Sequence, residues 1–130
     1  MNFMPPPRFN ILIIEDNEQN RYLATFLLEK HGYRVTTECD GPGGIARAQA
    51  EHPDLILLDI QLPGMDGYAV ARALRSIAAL ARTPIVAVTS YAMVGDREKS
   101  LAAGCNGYIE KPINPETFVA EVSRFLPSPP

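Results

Sequence analysis

Two uninterrupted apolar runs, ILII at 11–14 and LILL at 55–58, constrain the fold more than any other feature of this 130-residue chain. Neither alternates with polar residues, so neither suits a sheet with one wet face. Both read as strands covered on both sides. Each also runs straight into carboxylates, Glu15 and Asp16 after the first and Asp59 after the second. An ionised carboxylate at the end of a buried strand is costly unless a cation or hydrogen-bond donors meet it. Two such ends in one small chain imply that the acids gather around a common partner.

The intervening stretches supply the rest of the architecture. After the strand NILIIE, Asn17 is placed to cap a helix with Leu23, Phe26 and Leu27 on its inner face and Asn20 and Arg21 outside. Gly32 closes that helix, with His31 complementing the negative end of its dipole. RVTTE at 34–38 is more polar and suits a sheet edge, and a helix over about 43–51 carries Ile45 and Ala48 inward. Val70, Ala73, Leu74 and Ile77 fall at i, i+3, i+4 and i+7, the spacing of an amphipathic helix. PIVAVT is a further buried strand with Pro84 tolerated at its start. A helix over about 94–103 stops at Gly104, GYIE at 107–110 is the last strand, and a helix over about 115–126 aligns Phe118, Val122 and Phe125. Five strands alternating with five helices predict an α/β fold with a doubly wound parallel sheet. Right-handed crossovers favour the flavodoxin-like order 2-1-3-4-5.

Composition narrows the function classes. With 46% hydrophobic and 21% charged residues the chain reads as one globular domain, residues 9–126, between proline-rich tails at 1–8 and 127–130. Those tails are expected to be flexible ends rather than docking peptides. A net charge of −3 and the lack of any Lys/Arg run argue against direct nucleic-acid binding. No apolar stretch reaches the length of a membrane span and no secretory signal opens the chain, so the cytoplasm is the expected compartment. Cys39 and Cys105 have no CxxC spacing and no neighbouring His, and read as reduced thiols rather than zinc ligands.

In a parallel sheet every strand ends at the same edge, and ligands bind where the strand order reverses, between strands 1 and 3. Strand 1 delivers Glu15 and Asp16 there, strand 3 Asp59, strand 4 Thr89 and Ser90, and strand 5 leads to Lys111. Singly, each has a plain explanation: a helix cap, a strand-ending threonine, a surface lysine. Their joint arrival from four strands is what calls for chemistry. Clustered carboxylates raise one another's pKa unless a cation intervenes, and an oxygen-only donor set suits Mg2+ completed by water and phosphate. Such a site fits phosphoryl transfer, with Asp59, the acid of strand 3, as nucleophile forming an aspartyl phosphate. Lys111 would neutralise the phosphoryl oxygens and Thr89 would hydrogen-bond to one of them.

With ED at 15–16, LLDIQLPGMDG at 57–67, VAVTS at 86–90 and GCNGYIEKPI at 104–113, the chain resembles the receiver domain of two-component response regulators. The resemblance implies that Asp59 is the phosphorylated aspartate and that Glu15 and Asp16 form the acidic pocket. Asp16, Asp59 and the Gln61 backbone carbonyl would be direct Mg2+ ligands. It further implies that Lys111 contacts the phosphate, that a cis peptide precedes Pro112, and that Thr89 and Tyr108 are a switch pair altering the face of helix 4, strand 5 and helix 5. Ser90 departs from the alanine usual after the switch threonine but keeps the residue small. Gln61 and Tyr91 occupy positions that tune dephosphorylation in the family, and bulky Tyr91 is expected to slow water access.

Rival readings are weaker. A haloacid-dehalogenase-type enzyme needs a second acid where Gln61 stands and a longer loop for its cap, and a nucleotide-binding enzyme needs a GxxxxGK or GxGxxG that is missing after strand 1. A non-phosphorylated pseudo-receiver serving as a protein-interaction module would have lost part of the acidic pocket or the lysine, and both are kept. The expectation is therefore a single-domain regulator, DivK-like or similar to hybrid-kinase receivers, that assists its own phosphorylation and dephosphorylation without being an enzyme of the usual kind. Its phosphoryl donor would be a sensor histidine kinase or histidine phosphotransfer protein. Its output would be a downstream protein target, reached as a monomer or a phosphorylation-linked dimer. The start at Met1 suggests a free-standing protein.

Overall fold

The computed structural model describes residues 9–90 and 95–127. Tyr91 and the proline-rich residues 1–8 and 128–130 lie outside them. In chain order the elements are β1 (Asn10–Ile14), α1 (Glu18–Lys30), β2 (Arg34–Glu38), α2 (Gly41–Glu51), β3 (Leu55–Asp59) and α3 (Gly67–Arg75). A short 3-10 turn (Ala78–Leu80) leads into β4 (Ile85–Thr89), followed by α4 (Asp96–Ala102), β5 (Gly107–Glu110) and α5 (Phe118–Ser123). The strands form one sheet in the order β2-β1-β3-β4-β5, and every pairing is parallel. This is the expected doubly wound order.

Strand alternation divides the core between the two faces. Leu12, Ile14, Ile56, Leu58, Ile85 and Ala87 pack with Ala48 of α2 and with Val70, Ala71 and Leu74 of α3. Ile11, Ile13, Leu55, Leu57, Val86 and Val88 pack on the other side with Ala24, Leu27 and Leu28 of α1 and with Phe118 and Val122 of α5. Burying such a side chain contributes about 1.5–3 kcal/mol, so both layers are strongly held to the sheet.

The three helices that follow β1, β2 and β3 each start on an Asx cap. Asn17 accepts from the Asn20 N–H, Asp40 from the Gly43 N–H and Asp66 from the Ala69 N–H, at 2.9, 2.7 and 2.9 Å. The Asp40 cap starts α2 at Gly41, two residues before the position expected from apolar spacing alone. At the opposite end of α3, the Arg75 guanidinium donates to the carbonyls of Leu80, Ala81, Thr83 and Gly104 and to Asn106 Oδ1. One side chain thus anchors the segments that feed both β4 and β5.

Two expectations need correction. Phe26, placed on the inner face of α1, is 51% exposed and stacks on exposed Tyr22 beneath the Lys30 ammonium. Leu23 and Leu27 do face inward as expected, and Ala24 and Leu28 complete the inner stripe in place of Phe26. The last helix is also shorter than expected, Phe118–Ser123, because residues 115–117 form a turn and Phe125 folds over Gly107 beyond its end. Cys39 is exposed, Cys105 is buried, and both are free thiols.

Candidate functional site

Register brings the acids together. Ile14 pairs with Leu58, so Glu15 and Asp59, one residue further along adjacent strands, stand level and on the same face of the sheet. Leu58 pairs with Ala87 and Ala87 with Tyr108, which brings the ends of β4 and β5 to the same edge. Of the four buried polar or charged residues among those described, three (Glu15, Asp59 and Thr89) lie here. Burial of polar groups is concentrated at one edge of an otherwise apolar interior.

Each acid is satisfied by donors from two directions. Lys111 Nζ lies 2.8 Å from Glu15 Oε1 and 3.3 Å from Asp59 Oδ2. Gln61 N–H donates to Asp59 Oδ1 at 2.9 Å, and Asn17 N–H donates to Glu15 Oε2 at 3.1 Å. Arg21, assigned to the outer face of α1, reaches back from the first turns of that helix. Its guanidinium donates to the carbonyls of Glu15 and Asp16 at 2.9 and 3.2 Å. Nothing in the sequence marks that contact, because an outward arginine in a first turn has no fixed partner.

The electrostatics are those of a crowded acid pair. Burial, and then the neighbouring Asp59 carboxyl, push Glu15 up from 4.5 to about 7 against the opposing pull of Lys111. Burial disfavours the Lys111 ammonium, but its hydrogen bond to Glu15 and the charges of Asp59 and Glu15 outweigh that and raise its pKa above 10.5. Asp16 is exposed beside them, and one oxygen from each of Glu15, Asp16 and Asp59 can be chosen with all three within 4.8 Å of one another. This oxygen-only donor set fits a hard divalent cation.

The remaining predicted residues surround this cluster. Thr89 is buried at the end of β4, and its carbonyl accepts from the Lys111 N–H at 2.8 Å. The Lys111–Pro112 peptide is cis. Tyr108 is half-buried, level with Ala87 on β5, and borders a groove shared with Arg97, Ser100 and Leu101 of α4 and with Phe125. Ser90 Oγ donates to Gln61 Oε1 at 2.6 Å, joining two residues that no sequence pattern connects. Among the described residues, no helix is long and apolar enough to cross a membrane.

A doubly wound parallel sheet with an acid cluster and a lysine at its switch point defines a signalling receiver domain rather than an enzyme of the usual kind. Residues 11–123 match the response regulator receiver domain, and the chain belongs to that family of two-component signalling proteins. It is 39% identical over 117 residues to the polar-differentiation response regulator DivK of Brucella ovis, covering 90% of this chain and 95% of that protein. Among solved structures it is similar to the receiver domain of the sensor histidine kinase PA1611 from Pseudomonas aeruginosa, with 38% identity, a TM-score of 0.83, and 90% and 96% of the two chains covered. That structure holds a magnesium ion coordinated in its active-site cleft. The chemotaxis protein CheY4 of Vibrio cholerae is similar too, with 31% identity and a TM-score of 0.86 over 90% of this chain and 98% of that one.

Proposed function

We propose that the protein is a single-domain response regulator that takes a phosphoryl group onto Asp59 from a phosphohistidine on a sensor kinase or histidine phosphotransfer protein. The observation that carries this reading is the placement of Lys111 between the Glu15 and Asp59 carboxylates, at 2.8 and 3.3 Å, beside exposed Asp16. A carboxylate oxygen of Asp59 would attack phosphorus as the P–N bond of the donor breaks. The bond's electron pair stays on that nitrogen, and the donor ring, protonated on its other nitrogen, leaves as neutral imidazole with an acyl phosphate formed on Asp59. The Gln61 N–H holds the carboxylate in place, and the Lys111 ammonium would turn from the two acids to the phosphoryl oxygens. Asp16, Asp59 and the Gln61 backbone carbonyl, with Glu15 behind them, are the groups that would hold Mg2+. When bound, it would offset negative charge on the carboxylates and the transferring group.

Thr89, at the end of β4, would then hydrogen-bond to the phosphoryl group, and Tyr108 would respond on the face built by α4, β5 and α5. A cytoplasmic protein target would read that face, either on a monomer or on a phosphorylation-linked dimer. The 39% identity to DivK over 95% of its length supports a DivK-like regulator. The pseudo-receiver reading gains no support from a site in which every acid and the lysine are in place.

The test is intact mass after incubation with acetyl phosphate and Mg2+. One added phosphoryl group is expected on the wild type, and none on Asp59→Asn or in EDTA. Phosphorylation that persists in Asp59→Asn would move the acceptor elsewhere. If the wild type gains no mass and Mg2+ with beryllofluoride leaves its fluorescence and NMR spectrum unchanged, the pseudo-receiver reading replaces this one.

A further inference from the structure

Ser90 and Gln61 come from different loops yet meet across the mouth of the site. Gln61 follows β3 by two residues and Ser90 directly follows β4. Ser90 Oγ donates to Gln61 Oε1 at 2.6 Å, and the Ser90 backbone N–H approaches the same oxygen at 3.4 Å. A backbone N–H can only donate, which fixes the carboxamide with its oxygen, not its NH2, toward Ser90. A carbonyl oxygen has two lone pairs, and these two donors use both. The Gln61 backbone N–H donates to Asp59 Oδ1 at 2.9 Å, so the clasped side chain belongs to a residue hydrogen-bonded to the phosphoacceptor carboxylate itself.

We propose that Ser90 is a positioning residue that sets the lifetime of the aspartyl phosphate by holding the Gln61 carboxamide oxygen away from water. The proposal rests on the phosphorylation of Asp59 argued above. In hydrolysis, water oxygen forms a new bond to phosphorus and the bond from phosphorus to the Asp59 oxygen breaks. Its electron pair returns to the carboxylate, and the protons of the water leave with inorganic phosphate. A nearby amide oxygen speeds such attack by accepting a hydrogen bond from the incoming water and orienting it. With both lone pairs committed to Ser90, the Gln61 oxygen cannot do so, and the phosphorylated state is prolonged.

The experiment follows the loss of phosphoryl mass after acetyl phosphate is removed, in the presence of Mg2+. It compares wild type, Ser90→Ala, Gln61→Ala and the double variant. Ser90→Ala is expected to shorten the half-life by about tenfold, or about 1.4 kcal/mol in barrier. In the Gln61→Ala background the same change should have no effect, because the freed acceptor is missing. An independent readout uses the metal-free, unphosphorylated protein. The Gln61 side-chain NH2 should be ordered by NMR relaxation in the wild type and mobile in Ser90→Ala.

An unchanged or lengthened half-life in Ser90→Ala would overturn the proposal. So would a shortening that persists in the Gln61→Ala background, which would assign the effect to water entering the space left by the hydroxyl. A Gln61 side chain equally ordered in both proteins would also overturn it. A wild type that takes no phosphoryl group sinks the reading on which the proposal rests. A phosphorylated wild type that fails the Ser90 comparison sinks the proposal alone.

Discussion

Lys111 stands between two buried carboxylates, and the sign of its contribution can be separated from theirs. Glu15 and Asp59 are 4% and 2% exposed, so neither can shed its repulsion into water. Replacing Asp59 with Asn keeps the shape and leaves an amide oxygen to accept the Gln61 N–H, but removes one of the two like charges. In EDTA at neutral pH, Asp59→Asn is expected to stabilise the protein by about 1 kcal/mol while abolishing phosphoryl acceptance, the trade expected where function needs a strained cluster. Lys111→Met works in the opposite direction. Removing one partner from a buried ionic cluster leaves uncompensated charge, so a loss of about 3 kcal/mol is expected. Urea denaturation of the two variants beside wild type checks both signs, and a stabilised Lys111→Met would show that the ammonium does not hold the acids together.

Helices and strands carry a different lesson, because the elements that position the site were read from pattern and the contacts that fix them were not. Uninterrupted apolar runs at 11–14 and 55–58 were sufficient to place β1 and β3 in the middle of a parallel sheet. In α1, however, Phe26 is apolar at helical spacing and still faces outward, because Ala24, Leu27 and Leu28 already cover the sheet. Apolar spacing tells which residues could face the core, not how wide the buried stripe is. The start of α3 shows the same limit at closer range. A Cβ on Gly67 would lie 2.4 Å from Ile60 Cα and 2.7 Å from the Asp59 carbonyl oxygen, so the helix can approach the end of β3 only where no side chain intervenes. Gly67→Ala is expected to cost about 3 kcal/mol through overpacking against backbone that cannot move aside, and to slow phosphorylation because Asp59 must shift with it. Gly64→Ala is the control: φ is +80° there but nothing lies within 4 Å of the added methyl. It should cost about 1 kcal/mol of backbone strain and leave the phosphorylation rate nearly intact. Thermal melts and initial rates with acetyl phosphate distinguish the two glycines.

Across the whole molecule, the composition of the site was legible from strand ends because a parallel sheet converts sequence position into a shared edge. Its protonation state was not, because that depends on burial and on distances of a few ångströms. Glu15 is raised from 4.5 to about 7, so the folded protein retains a proton that the unfolded chain releases between those values. Stability from this group is fully present below pH 4.5 and falls as pH rises through 7. Lys111 is also raised, but its contribution is present at low pH and is lost only as pH climbs above 10.5, so it leaves the slope in the acid window unchanged. A divalent cation should flatten that slope, since it binds the deprotonated cluster and competes with the proton. In EDTA the melting temperature is therefore expected to fall between pH 5 and 7.5. In Mg2+ at about ten times its dissociation constant, the gain should be about 1.4 kcal/mol at pH 7.5, or about 5 °C, and should shrink toward zero at pH 5. The Asp59→Asn variant should show a shallower fall in EDTA, since burial still raises Glu15 but the neighbouring acid no longer does, and should lose most of the Mg2+ gain with one of the cation's ligands. Scanning calorimetry of both proteins in EDTA and in Mg2+ measures all four slopes. A wild type whose EDTA slope is flat would mean that Glu15 is ionised in the folded protein without any cation, and that Lys111 alone balances the cluster.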